Sequence, residues 1–447
     1  MNYELLKKTI EDEAKLQGLT EYEIYYMSSE ELSVDTLNKE PNSFSAGVSG
    51  GICFRASYDG KMGYASTELM EEGEMKSLVS RAKANALATE KPDNVGIFKG
   101  SESYAELKNK EYTPATAAEF KKLCADFAEE IYNVSDKVTG GTATYSGTMG
   151  FEIHLSNSHG LDLSTKCGTN FVQGMAVICD DGKYENDYAV KEISDDLDLK
   201  AIAKEIVDSA ILKANAGLVD TGKYNVVFDA KQMRTMLSVY SSTFSAKMAQ
   251  MGMSLLAGKE GEKIASDIVT ITDDPMREGV SVQTNFDAEG VAAYRKNVVE
   301  GGVLKTLLHN RETAAVAGTE STGNASKGSY ASPVAISPYA FCLEAGDKTH
   351  DELLALAGDG LYITELKGLH AGANAVTGDF SLESAGFRIK DGKICEAVKS
   401  FTIAGNFFEL LKSIAAISNE VEVAVTGGFT TFGAPEVLIN GMSVAGK

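Results

Sequence analysis

The chain is poor in histidine and has no tryptophan: 447 residues carry 5 His and no Trp. Five histidines are a thin supply for metal chemistry, which draws on His, Cys and carboxylate side chains. Positive charge is short as well, with 42 Lys+Arg against 64 Asp+Glu, a net charge of −22. Neutralising phosphates needs clustered Lys and Arg, so this balance argues against duplex nucleic acid as a direct ligand. It argues equally against general binding to anionic membranes. No apolar run approaches the roughly 18 residues that span a bilayer. The start, Met1-Asn2-Tyr3-Glu4-Leu5-Leu6-Lys7-Lys8, runs into Glu11, Asp12 and Glu13 instead of the apolar stretch of a signal peptide. A cytoplasmic chain is the expectation. The cysteines, Cys53, Cys124, Cys167, Cys179, Cys342 and Cys395, form no Cys-x-x-Cys pair. That argues against zinc ribbons and thioredoxin-like sites, and scattered thiols fit a reducing compartment.

What is present fits a soluble globular protein: 43% apolar and 24% charged residues. At about 150 residues per domain the length predicts two or three domains, with enough core to fold without disulfide or metal staples. Leu6, Ile10 and Ala14 recur at helical spacing before Gly18. Strands are expected around 22–27 and 51–56, with a hairpin turn at Asp59-Gly60. Met75, Leu78, Val79, Ala82 and Ala86 make a helical face. Lys91-Pro92-Asp93 and the polar stretch 100–114 read as a connection. Thr116 and Glu119 form a capping-box pattern ahead of Phe120, Leu123, Cys124, Phe127 and Ile131, where Cys124 reads as a core thiol. Strands are expected from 137 to 192, with a turn at Asp181-Gly182, then a helix on Leu199, Ile202, Ile206 and Ala210.

A strand at 224–228 opens the second half. One helix from Ala230 to about Met251 is predicted next, its face formed by Met233, Met236, Leu237, Tyr240, Phe244 and Met248. Beyond Gly258 short strands and turns dominate and do not alternate with helices. The fold class expected is α+β: an N-terminal α/β region, 1–220, with a sub-boundary near 91–115, and a strand-rich antiparallel barrel- or sandwich-like domain, 221–447.

Each candidate for chemistry has a plainer reading. His154 and His159 are five apart with Glu152 ahead of them, and Asn157-Ser158-His159-Gly160 reads as a polar hairpin tip, not a zincin helix. Lys259-Glu260-Gly261-Glu262-Lys263 lacks the ending of a phosphate loop. Gly, Asn and Ser in 322–328 can turn a run of N–H groups toward a carboxylate, although a surface loop is the simpler reading. Asp273, Asp274, Asp287 and Glu289 fall within seventeen residues and read as a solvated acidic turn, not a cation site. No strand-to-helix Gly-x-Ser-x-Gly elbow and no dinucleotide fingerprint is read.

Several segments together carry a resemblance. They are Gly258–Lys263, Asp273-Asp274-Pro275, Phe286–Val291, Glu300–Leu304, Ser321–Ala325, Asn374–Ser381, Ser384–Phe387 and Thr402–Asn406, with Gly51–Arg55 and Gly63–Ser66 near the start. In this number and order they resemble the PmbA/TldE branch of the TldD/PmbA family, also known as peptidase family U62 and as modulators of DNA gyrase. The resemblance implies that TldD-type chains hold zinc through a helical His-Glu-x-x-x-His motif and a late cysteine, while TldE-type chains pair with them and lack those ligands. Between Asp229 and Glu260 this chain has no His, Asp or Glu, and the expected motif is replaced by Met236-Leu237-Ser238-Val239-Tyr240-Ser241-Ser242-Thr243. No cysteine follows Cys395, and Thr426–Gly433 stands where a Cys-Gly-Lys motif is expected.

The resemblance therefore implies fold and partner but no catalytic, cofactor or metal residue. The expectation is a non-catalytic subunit of a TldD/TldE-type zinc peptidase acting on unfolded or extended peptides, partnered by a TldD-type subunit or by a second copy. Alternatives are a stand-alone homodimeric peptide binder with a decayed site, and a hydrolase using Ser241, Ser242 or Thr243 with His309 or His370. Nothing in these residues identifies a gyrase-binding surface.

Overall fold

The computed structural model describes residues 3–92, 94–107, 112–425 and 427–447. Met1, Asn2, Asp93, 108–111 and Thr426, which fall in stretches discussed above, lie outside the described residues. Helix makes up 25% of the chain and strand 40%, as the α+β expectation requires. No helix among the described residues is long and apolar enough to cross a membrane.

Among the described residues the first half is one antiparallel sheet with four helices. α1 (Tyr3–Leu16) buries Leu6, Ile10 and Ala14, the residues whose spacing predicts it. β1 (Glu21–Leu37), β2 (Glu40–Tyr58) and β3 (Lys61–Thr67) follow, and the first two run far beyond the segments legible in the sequence. Asp59 and Gly60 take φ of 52° and 72°, the type I′ geometry their pairing favours. α2 (Glu72–Ala88) buries the predicted Met75–Ala86 stripe. It approaches β3 so closely that a Cβ on Gly63 would lie 1.9 Å from the Ala82 carbonyl oxygen. α3 (Ala117–Val134) starts at the predicted capping box, where the Glu119 carboxylate accepts the Thr116 N–H at 2.7 Å. β4 (Ala143–Asn157), β5 (Asp162–Asp180), β6 (Lys183–Glu192) and α4 (Leu199–Ala214) complete the unit. The strand order is β3-β2-β1-β4-β5-β6.

In the second half β7 (Gly222–Phe228) leads into α5 (Ala230–Tyr240), a 3-10 turn (Ser241–Phe244) and α6 (Ala246–Gln250). Short elements follow: β8 (Ile271–Asp273), β9 (Lys296–Glu300), β10 (Val303–Leu304), α7 (Arg311–Ala317), β11 (Ala325–Ser326), β12 (Ala335–Ile336) and β13 (Ala340–Leu343). Then come α8 (His350–Ala357), β14 (Gly360–Lys367), α9 (Leu369–Gly372), and the hairpin of β15 (Asp379–Lys390) and β16 (Lys393–Asn406). α10 (Phe407–Lys412), β17 (Ile414–Ile417), β18 (Glu422–Val423), β19 (Thr431–Ala434) and β20 (Val437–Ala445) close the order. β16, β15, β14, β7 and β20 pair in turn, and β16 pairs back with β20 to close a five-stranded barrel. Its pairings are antiparallel except β7 with β14. A second sheet, β10-β9-β8-β13-β19-β18, shares the core with it.

The single helix expected from Ala230 to Met251 is broken at Tyr240. The Ser241 hydroxyl donates to the Ser238 carbonyl (2.8 Å) and the Thr243 hydroxyl to the Tyr240 carbonyl (2.7 Å). Such local bonds compete with the helical ladder, so a hydroxyl-rich run tightens into a 3-10 turn. The apolar stripe survives the break. Met233, Met236, Leu237, Tyr240 and Phe244 are buried, and Tyr240 stacks on Phe407 at 4.4 Å.

Candidate functional site

Strand alternation gives the N-terminal sheet two different faces. On one, Ile24, Ile52, Phe54 and Ala56 pack under α1 and α2, while Val172, Ala176 and Ile178 pack with α3 and α4. On the other, Tyr25, Met27, Cys53, Ile153 and Leu155 meet Phe286, with Ala288, Tyr330 and Phe429 at the margin, so the second half docks there. Phe151 and Phe429 are 5.1 Å apart. At the far end of the same face, Lys231 of α5 lies 4.2 Å from the Tyr188 ring, and the Ser281 hydroxyl donates to Glu192. Between these two contacts the face carries Tyr145, Met149, Phe171, Gln173 and Met175, all half-buried. Between its contacts with the second half the sheet thus presents a half-buried, mostly apolar stretch, with α5 touching one end of it.

α5 is held from below. The Asp229 side chain accepts the Gln232 N–H at 2.6 Å as its cap. The Gln232 amide donates to the Thr364 carbonyl (2.8 Å) and accepts from Leu366 N–H (3.1 Å). Burial pushes the Asp229 carboxyl up to about 7, against the Gln232 N–H and Lys231, with Glu422 and Glu436 adding to the rise. The outer face presents Lys231, Arg234, Thr235 and Ser238, and Arg234 pairs with Glu422 at 2.5 Å. In the late glycine-rich stretch the Thr430 hydroxyl donates to the Pro338 carbonyl (2.8 Å) and that of Thr431 to Ala424 (2.8 Å). Hydroxyls engaged with backbone, a guanidinium and an ammonium do not fit zinc, which takes thiolate, imidazole or carboxylate. Among the described residues no group of three or more His, Cys, Asp or Glu is placed to hold a metal.

The acidic run is not a solvated turn. Asp273, Asp287 and Glu289 are buried, because the chain folds cations and N–H groups onto them. Asp273 pairs with Lys296 (3.1 Å) and accepts from the Asn324 amide (2.7 Å) and Tyr339 N–H (2.7 Å). Asp287 accepts from the N–H groups of Glu289 (2.9 Å), Val291 (3.0 Å) and Ala325 (3.0 Å). Burial pushes its carboxyl up to about 7, with Glu289 adding to the rise. Glu289 accepts the Arg311 N–H at 2.8 Å and is raised by burial against Arg55 and Arg311. Arg55 itself pairs with Glu23 (2.8 Å), so first-half charges face the second-half cluster. The loop 322–328 is correspondingly no surface loop: Thr322 and Asn324 are buried, and the carboxylate that Ala325 N–H meets belongs to Asp287. The roles of Arg55, Lys296 and Tyr339 had no signal in the sequence, since their partners are distant along the chain.

The remaining candidates stay apart. His154 bonds Glu152 (2.7 Å) and stacks on Tyr3, whereas His159 bonds Glu21 (2.8 Å). His309 is buried and its ring is pushed toward the neutral form by burial, and His370 is exposed on α9. No hydrogen bond joins a histidine to Ser241, Ser242 or Thr243 among the described residues. Gly47-Val48-Ser49-Gly50-Gly51 spells Gly-x-Ser-x-Gly but lies inside β2, away from any strand-to-helix turn. The loop 259–263 lines an open cavity of about 450 Å³ with Asn406 and Phe408, where Lys259, Lys263 and Lys412 alternate with Glu262 and Glu409.

Residues 221–446 match the family model of the PmbA/TldA metallopeptidase C-terminal domain, and residues 22–86 match PmbA/TldA metallopeptidase domain 1. An uncharacterized protein of Methanocaldococcus jannaschii is 30% identical over 408 residues, 90% of this chain and 92% of that one. A Thermotoga maritima structure described as a candidate modulator of a DNA gyrase superposes with a TM-score of 0.89 at 28% identity, covering 99% of this chain and 100% of that one. The fold is also that of TldE from Thermococcus kodakarensis, with a TM-score of 0.81, 23% identity, and coverage of 98% and 99%.

Proposed function

This chain belongs to the PmbA/TldD metallopeptidase family, and we propose that within it the chain is a TldE-type, non-catalytic subunit of a zinc peptidase acting on unfolded or extended peptides. The observation that carries the reading is the donor set on α5. A zinc peptidase needs metal-bound water made nucleophilic and a general base beside it. Lys231, Arg234, Thr235 and Ser238 supply neither, so the metal and the chemistry belong to a TldD-type partner. This chain would shape one wall of the reaction chamber and order the partner's site. The apolar stretch of Tyr145, Met149, Phe171 and Met175 suits that role. Flexible methionines and flat aromatic rings accept varied side chains, while an extended peptide is held mainly through its main chain.

Co-expression with a TldD-type chain bearing His-Glu-x-x-x-His tests this. The two should co-purify, and peptidase activity should require both. Full activity from the partner alone, or stoichiometric zinc on this chain alone, would sink the proposal.

A further inference from the structure

β2 is paired with β1 from Glu40 to Ser57, with a bulge at Asn42, but with β3 only from Ile52 to Tyr58. Among the described residues, no strand occupies the outer edge from Asn42 to Gly50. Of these nine residues the eight from Asn42 to Ser49 are exposed, on both faces of the sheet, and Gly50 is half-buried. Natural sheets blunt such edges with lysine, inward charge, bulges or a covering element. Here no charged residue occurs between Glu40 and Arg55. The two large apolar side chains, Phe44 and Val48, are 55% and 76% exposed, and they share one face with Ala46. The opposite face carries Ser43, Ser45, Gly47 and Ser49.

The segment is complementary to itself. When it pairs antiparallel with a copy about Ala46, Phe44 meets Val48 twice, an aromatic–β-branched cross-strand pair, and Ser43 meets Ser49 twice. No charges oppose each other in that register, and a slip of one residue either way loses both Phe–Val pairs. The local charge is already settled within the chain, since Asp35 accepts from the Asn42 amide (2.6 Å) and the Ser43 hydroxyl.

We propose that Asn42–Gly50 of β2 is an interface strand that pairs antiparallel, about Ala46, with the same strand of a second copy, joining two six-stranded sheets into one of twelve. The proposal rests on the reading of this chain as a subunit and names the surface by which it self-associates when no partner chain is present. The test is the mass of the purified full chain by light scattering. Wild type should show the mass of two chains. Phe44→Lys with Val48→Lys sets lysine against lysine at both pairs and should give the mass of one chain. Phe44→Lys with Val48→Glu sets lysine against glutamate in this register alone and should restore two, which also controls for folding. A wild type with the mass of one chain overturns the proposal. So does a lysine–lysine variant that stays double, or a lysine–glutamate variant that stays single. None of these results bears on co-purification with a TldD-type chain, so the subunit reading stands or falls separately.

Discussion

Asp287→Asn should remove a pH dependence of stability that the wild-type chain carries between about pH 4 and 7. Two effects oppose each other at this carboxyl. Three backbone N–H groups at 2.9–3.0 Å favour the charged form, while 2% exposure and the neighbouring Glu289 favour the neutral one. Burial wins, and the carboxyl is pushed up to about 7 from an ordinary 3.8. In the unfolded chain the proton leaves near pH 4, and in the folded chain it leaves near 7. Between those values the folded state binds the extra proton. The stabilisation is therefore fully present at about pH 4 and is lost as pH rises toward 7. Each unit is worth about 1.4 kcal/mol, so roughly three units set a ceiling of about 4 kcal/mol. Glu289 is raised as well, so the step belongs to the pair and Glu289→Gln should shrink it.

Urea midpoints at unit pH intervals for wild type and both variants measure the effect. At about pH 4 Asp287→Asn should be the less stable by about 1–3 kcal/mol, because one amide face now opposes the Ala325 N–H. That deficit should shrink or reverse by about pH 8. A difference between wild type and variant that is flat from about pH 4 to 7, with stability lost only below that, would refute the reasoning. It would mean that the N–H groups outweigh burial.

Lys296→Met strands the Asp273 carboxylate in the core and should cost about 3–5 kcal/mol in urea, while adding Asp273→Asn should return most of it. Additive single costs would show that the pair is uncoupled. Gly63→Ala should lower stability by about 1–3 kcal/mol, because its methyl group meets the rigid Ala82 carbonyl. Gly73→Ala, in the open first turn of α2, should raise it by up to about 1 kcal/mol. Ser241→Ala and Ser242→Ala should leave the peptidase activity of the two-chain complex unchanged, and a large fall in kcat from either would revive the hydroxyl nucleophile.

Elements set by one local signal are legible in the sequence. The Thr116–Glu119 box, the Asp59-Gly60 and Asp181-Gly182 turns and the buried stripes of α1, α2 and α3 all depend on neighbours within a few residues. Elements set by long-range pairing are not legible there. The strand content of 28–50 is hidden because Ser, Gly and Glu there show little alternation, and only the ladders to β1 and β4 reveal it. The break after Tyr240 leaves no mark in the sequence pattern because the apolar stripe continues through the 3-10 turn. Asp273 and Glu289 look solvated until Lys296, Asn324, Tyr339 and Arg311 arrive from elsewhere in the chain.

By itself the sequence determined the α+β class, the family, and the lack of zinc donors between Asp229 and Glu260, since side-chain chemistry at a position needs no coordinates. Tertiary structure alone decided that β16 closes on β20, that Asp287 and Glu289 are interior groups, and that β2 presents a bare edge beside a paired one. Burial and strand pairing are properties of residues far apart in sequence brought together, and composition carries no record of which ones meet.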